Sequence, residues 1–227
     1  MVKVQNQREK QIRSITLWGS LLNVFLMAVK IVFGLMIRST ALVADGFHSL
    51  SDLATDFFVV IGARLSSRPA DKTHAYGHRK FETISSQLVA IILMAIGIGF
   101  ILKAGFSIFR QEYNFPGILV LVVAGISVVS KEIIFSRTRK VSRETESAAL
   151  WANAWHHRSD SLSSVAVLLG GILSLFGWGH ADNIATIVVG FMISGVGAKI
   201  FYEAVIELTE SSADKESIAV ITKIFSE

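Results

Sequence analysis

Six blocks of about 20 apolar residues, separated by short polar stretches, constrain this chain more than any other feature of its sequence. A helix of that length crosses a hydrocarbon core of roughly 30 Å. Lipid offers an exposed amide no water to bond, so each spanning segment must satisfy its own backbone, which a helix does. The blocks run from about Ile15 to Met36, Leu42 to Leu65, Ile84 to Phe109, Pro116 to Phe135, Ala148 to Phe176 and Ala185 to Leu208. The expected fold is therefore all-α, a six-helix transmembrane bundle over residues 15–210. A polar cytoplasmic segment, residues 1–14, precedes it, and an amphipathic tail, residues 211–227, follows.

Charge gives the orientation. Lys3, Arg8, Lys10 and Arg13 precede the first block; Arg68, Lys72, Arg79 and Lys80 connect blocks two and three; Arg137, Arg139, Lys140 and Arg143 connect blocks four and five. With six spans these stretches share one side, and the opposite connections hold only Arg38 and Arg110. Positive-inside reasoning puts both termini in the cytoplasm. The net charge of +4 thus reports topology, not nucleic-acid binding. The expected home is the bacterial cytoplasmic membrane; an internal organelle membrane gives the same topology.

Ionisable side chains are costly within lipid, so they face the bundle interior and mark sites or pathways. The second block reads ALVADGFHSLSDLATDFFVV and the fifth WANAWHHRSDSLSSVAVLLG. His48 and Asp52 are four apart and share a helix face; so do His156 and Asp160. One such pair is as well read as a hydrogen bond pinning two helices. Two pairs of the same spacing on two helices offer two imidazoles and two carboxylates, the number and donor type of a tetrahedral Zn²⁺ site. The chain has no cysteine, so a transition metal must be held by His, Asp or Glu. Asp45, Asp56 and His157 are accessory positions: the aspartates read either as helix-end carboxylates or as waypoints for ions, and His157 as a substitute ligand. In the connection PADKTHAYGHRKFE, Asp71, His74 and His78 form a three-ligand set at the membrane boundary, against the alternative of an ordinary polar loop. His180 reads as a solvated loop residue. Lys30, Lys103 and Lys199 read as amines that snorkel toward headgroups. Lys131 and Glu132 point to different faces, with no partner assignable. Asn23 reads as an interhelical hydrogen bond, and Gly97, Gly99, Gly105, Gly190, Gly195 and Gly197 as close-packing positions.

The stretches HSLSD, PADKTHAYGHRKFE and AWHHRSDSLSS, in that order, resemble the cation diffusion facilitator family. The resemblance covers all six helices. It implies a metal cation/proton antiporter with its transport site on His48, Asp52, His156 and Asp160 and a peripheral site on Asp71, His74 and His78. A histidine at the first position of both pairs resembles the zinc-preferring pattern, although Fe²⁺, Mn²⁺, Co²⁺ and Cd²⁺ accept overlapping donors. The resemblance also implies a homodimer, locked by Lys80 and Glu210. It further implies a cytoplasmic metal-binding domain after the sixth helix, of which residues 211–227 read as the start, cut short. The expected partners are a divalent metal ion, protons, the lipid bilayer and a second copy of the chain. Two other classes compete. A metal-binding membrane scaffold that transports nothing would tolerate loss of the intramembrane set. An intramembrane hydrolase would draw on Ser49, Ser51 and Ser159, but nothing in a helical run supplies an oxyanion hole.

Overall fold

A computed structural model describes the backbone of residues 2–66 and 80–209; the side chains of residues 2–9, 56, 58–66 and 80–82 lie outside that description. Six helices follow one another: α1 (Val2–Met36), α2 (Thr40–Ser66), α3 (Lys80–Phe109), α4 (Ile118–Thr145), α5 (Ala148–Leu175) and α6 (Ala181–Leu208). They form an all-α transmembrane bundle, and the protein is a multi-pass membrane protein. Its surface is inverted relative to a water-soluble domain. Leu21, Phe25, Leu35, Ile91, Leu102, Ile126 and Phe191 face outward, while Lys30, Asp45, Lys131, Asp160, Ser163, Ser164 and Asp182 are buried. Lipid rewards that arrangement, because apolar groups need no shielding from it and polar groups do.

Four helices, α1, α3, α4 and α6, are apolar enough to cross a membrane on composition alone. The other two, α2 and α5, are the ones carrying the His-x-x-x-Asp pairs. Helix α2 is inserted among α1, α3, α5 and α6, so its polar face meets protein. The most extensive pairing is α3 against α6. It is close because Gly97 and Gly190 meet backbone to backbone: a Cβ added at Gly97 would lie 2.6 Å from the Gly190 carbonyl oxygen. Gly197 approaches Ala90 in the same way, whereas Gly99, Gly105 and Gly195 have nothing within 4 Å of an added Cβ. Close packing thus explains only some of the glycines expected to provide it.

Two helices are longer than their apolar blocks. α1 takes in the polar N-terminal segment as continuous helix, 35 residues or about 52 Å. α4 runs to Thr145 rather than Phe135. Its added turns carry arginines over aromatic rings, Arg139 at 5.7 Å and Arg143 at 5.8 Å from the Trp151 ring centre. Such cation–π contacts belong at a membrane–water boundary, where one side chain is wet and the other greasy.

The side of the bundle away from the termini is tied shut. Asp182, in the first turn of α6, accepts from Ser39 Oγ at 2.5 Å, Thr40 Oγ1 at 2.9 Å, Thr40 N at 2.9 Å and Ala41 N at 3.3 Å. A carboxylate from one helix therefore caps the free amides at the N-terminus of another, α2, where the helix dipole also favours negative charge. Asn114, between α3 and α4, donates through Nδ2 to the Arg38 carbonyl and through its backbone N–H to Gly179 O at 3.2 Å. His180 belongs to this layer. It is half-buried and tilted against the Tyr113 ring, with centres 4.8 Å apart, so it is not the freely solvated loop residue expected.

Candidate metal centre

Helix α2 brings His48 and Asp52 inward one turn apart, and α5 brings Asp160 to meet them. One donor atom from each of His48, Asp52 and Asp160 lies within 4.8 Å of the other two. In a tetrahedral zinc site with bonds near 2.0–2.1 Å, donors sit about 3.4 Å apart. The triad needs to contract by only about an ångström and a half at its widest, which side-chain torsions supply. His48 is buried, and its Nδ1 has no hydrogen-bond partner among the described residues. An orphaned buried ring nitrogen is costly unless something fills it, as a dication could.

His156 stands at the rim. Its side chain is 52% exposed, and its Nδ1 lies 3.6 Å from Asp160 Oδ1. It is not in the mutually close set with His48 and Asp52. It does line the same cavity, about 530 Å³, which α2, α5 and α6 enclose with His48, Asp52, Ser159, Asp160, Met192 and Gly195. Lys199 and Glu203, both exposed and 3.9 Å apart, mark its mouth on the side where the chain begins and ends. Gly195, which has nothing near an added Cβ, contributes open space there.

The remaining positions separate from this site. His157, one residue on, turns about 100° around α5, is buried and faces Gly19 of α1, with its Nε2 3.1 Å from an added Cβ. Asp45 is fully occupied elsewhere: it pairs with Lys30 Nζ at 2.9 Å and accepts from Ser163 Oγ at 2.6 Å and Ser164 Oγ at 2.8 Å. Lys30 also donates to Ser164 Oγ at 2.9 Å and is 0% exposed, so it does not snorkel. That pair joins α1, α2 and α5. Lys103 and Lys199 are exposed, as a snorkelling amine is. Asn23 Oδ1 has no hydrogen-bond partner among the described residues, in place of the interhelical bond expected. Asp71, His74, His78 and Glu210 lie outside the described residues, as do the side chains of Asp56 and Lys80.

Sequence reasoning left Lys131 without a partner. It is buried on α4 with its Nζ 3.0 Å from Asp160 Oδ2. A buried amine in an apolar helix demands a buried carboxylate, and that rule alone would have narrowed the candidates to the aspartates of α2 and α5.

The family profile described as the cation efflux transmembrane domain matches residues 17–209. The chain is similar to an uncharacterized transporter of Methanocaldococcus jannaschii, 35% identical over 88% of this chain and 71% of the relative. It is similar to the manganese efflux system protein MneP of Bacillus subtilis, 33% identical over 94% of this chain and 74% of that protein. It is also similar to the magnetosome protein MamB of Magnetospirillum gryphiswaldense, 31% identical over 98% and 75%.

Proposed function

The chain belongs to the cation efflux family and carries metal cations across a membrane, and from that premise we propose that it exports a divalent transition metal, Zn²⁺ foremost, in exchange for protons. The observation that carries the proposal is the convergence of His48, Asp52 and Asp160 on a cavity open to one side of the bundle. His156, on the rim, completes a set of two imidazoles and two carboxylates by rotating inward. The two carboxylates offset the charge of the dication where a bare charge would be expensive.

The chemistry of the donors couples metal to protons. A metal takes neutral imidazole and ionised carboxylate, so protons compete for every ligand. Imidazole ordinarily titrates near pH 6.5, so an acid far side displaces the ion and a neutral near side admits it. Basic residues in the N-terminal segment and in two connections support a cytoplasmic mouth and the bacterial cytoplasmic membrane as its home. The family resemblance supports a homodimer. MneP, a relative named for manganese efflux, supports a second reading with Mn²⁺ as cargo; half the donors are carboxylates, the oxygen type manganese accepts.

Flux into proteoliposomes, measured metal by metal with and without a pH gradient, tests both readings. The expected result is zinc movement that an opposing proton gradient accelerates, lost in Asp52→Ala and in Asp160→Ala while insertion is normal. Full zinc flux in both variants would show the site to be misplaced. Metal binding without any flux would leave a scaffold.

A further inference from the structure

We propose that the seam between α4 and α5, at the end of the bundle where the chain begins and ends, binds the phosphate of an anionic phospholipid. Three arginines and three aromatic rings alternate along it. Arg143 lies 5.8 Å from the centre of the Trp151 ring, and Arg139 lies 5.7 Å from that ring and 5.9 Å from the Phe135 ring. Arg158, on α5, lies 4.9 Å from the centre of the Phe135 ring and 5.6 Å from that of Trp155. Trp155 in turn packs edge-on against both Phe135 and Trp151. The rings restrain the guanidinium groups and leave their N–H edges free. Long side chains already ordered cost less to immobilise when a ligand arrives.

Those edges lack acceptors. Among the described residues no carboxylate pairs with Arg139, Arg143 or Arg158, and Arg139 Nε is shut from solvent with no hydrogen-bond partner. Glu144, the acidic neighbour, lies 3.9 Å from Lys140 instead. Ser136, Arg139, Lys140, Arg143 and Glu144 line a recess of about 300 Å³. A phosphate brings oxygens that accept from a guanidinium two at a time.

Depth selects a lipid over a free anion. Phe135 ends the apolar block of α4, and the exposed Arg158 lies at its level. Arg139 is one turn farther out and Arg143 two, about 6 and 12 Å at the helical rise. The headgroup layer is about 5–7 Å thick on each face, so Arg158 and Arg139 bracket it and Arg143 reaches water. An exposed guanidinium at the edge of the hydrocarbon is costly without a counter-charge. A zwitterionic headgroup neutralises its phosphate with its own ammonium; an anionic one leaves that charge to the arginines. Arg158 is two residues before Asp160 and turned about 200° from it around α5, so the seam faces away from the metal cavity.

Lipid binding to the purified full chain in detergent tests this, with dioleoylphosphatidylglycerol and dioleoylphosphatidylcholine as probes. At about 0.1 M salt the anionic lipid should bind about tenfold tighter or more, and the preference should shrink as salt rises. Arg139→Gln with Arg158→Gln should remove the preference while helical content stays, and lysine at both positions should keep only part of it. Arg137→Gln removes an exposed charge that faces Lys10 and Trp18 of α1 rather than the seam, and should leave the preference intact. Equal binding of the two lipids overturns the proposal, and so does a preference that survives in R139Q/R158Q. A preference lost equally in R137Q also overturns it, since a diffuse positive surface would then suffice. Should the double arginine variant not fold, Trp18→Phe with Trp178→Phe leaves Trp151 and Trp155 as the chain's only tryptophans. Brominated phosphatidylglycerol must then quench their emission more than brominated phosphatidylcholine does, and equal quenching overturns the inference. Neither readout involves metal, so a chain that moves no zinc leaves the lipid site standing.

Discussion

Replacing Asp45 with Asn removes one charge and almost no volume, and it exposes how much of the bundle hangs on a single pair. In the native chain Asp45 has three partners, at 2.6, 2.8 and 2.9 Å, and both it and Lys30 are 0% exposed. The amide keeps room for the Ser163 and Ser164 hydroxyls but leaves the Lys30 ammonium buried with neutral neighbours alone. Removing one partner of a buried pair costs about 3–5 kcal/mol. For a chain of this length that is a fall in midpoint of roughly 2–4 °C per kcal/mol, or about 6–20 °C in all. Lys30→Met should cost a similar amount, since it strands the carboxylate. The double variant, Lys30→Met with Asp45→Asn, strands no charge and should be less damaging than the two singles summed, by about 2 kcal/mol or more. Unfolding of the detergent-solubilised chain, followed by circular dichroism for all four proteins, gives the cycle. A loss under about 1 kcal/mol in Asp45→Asn, or strict additivity in the double variant, refutes the claim that this pair joins α1, α2 and α5.

Other expectations follow from the same geometry. Gly97→Ala places a Cβ 2.6 Å from the Gly190 carbonyl oxygen and 2.8 Å from Ser194 N, backbone that cannot step aside, so it should cost about 1–3 kcal/mol in the same unfolding assay. Gly99→Ala, two residues on with open space around it, should be neutral or slightly stabilising. Asp182→Ala removes four acceptor contacts at the start of α2 and should lose about 2 kcal/mol or more, whereas Asp182→Asn keeps part of the cap and should lose less. Zinc affinity measured by calorimetry should weaken as pH falls from about 7.5 to 5.5, by roughly tenfold for each pH unit below the ordinary imidazole pKa near 6.5 per histidine displaced. A flat profile would remove proton competition from the mechanism.

What could be read from the sequence divides along a physical line. Apolar blocks declared the helices because lipid imposes the same demand on every residue of a span. The pairing of His48 with Asp52 and of His156 with Asp160 was legible because a helix fixes what lies four residues on. What lies across the bundle is not fixed in that way. Nothing local distinguishes His156, at the rim, from His157, turned to α1, since either face of α5 suits an imidazole. Lys30 reads as a snorkelling amine until Asp45 and Ser164 are seen around it. The cap on α2 comes from 142 residues away, a relation no local rule encodes. Helices α1 and α3 stop at Met36 and Phe109, as their blocks do, whereas the end of α4 is missed for a different reason. Glu146 caps α4 in left-handed backbone where glycine would have signalled a stop. The tail of α4 reads as a loop because it is polar, yet it continues as helix under arginines stacked on tryptophan.

The clamp at Asp182 has a consequence for direction of travel. On the proposed transport reading, an ion held between His48 and Asp160 would meet, past the start of α2, a floor stitched together from three separate turns of chain, and that floor parts only if several strong bonds to one carboxylate let go in concert. A barrier built this way makes leakage rare, because thermal loosening of any single stitch leaves the others holding. On that reading it would leave the cavity beside Lys199 and Glu203 as the doorway.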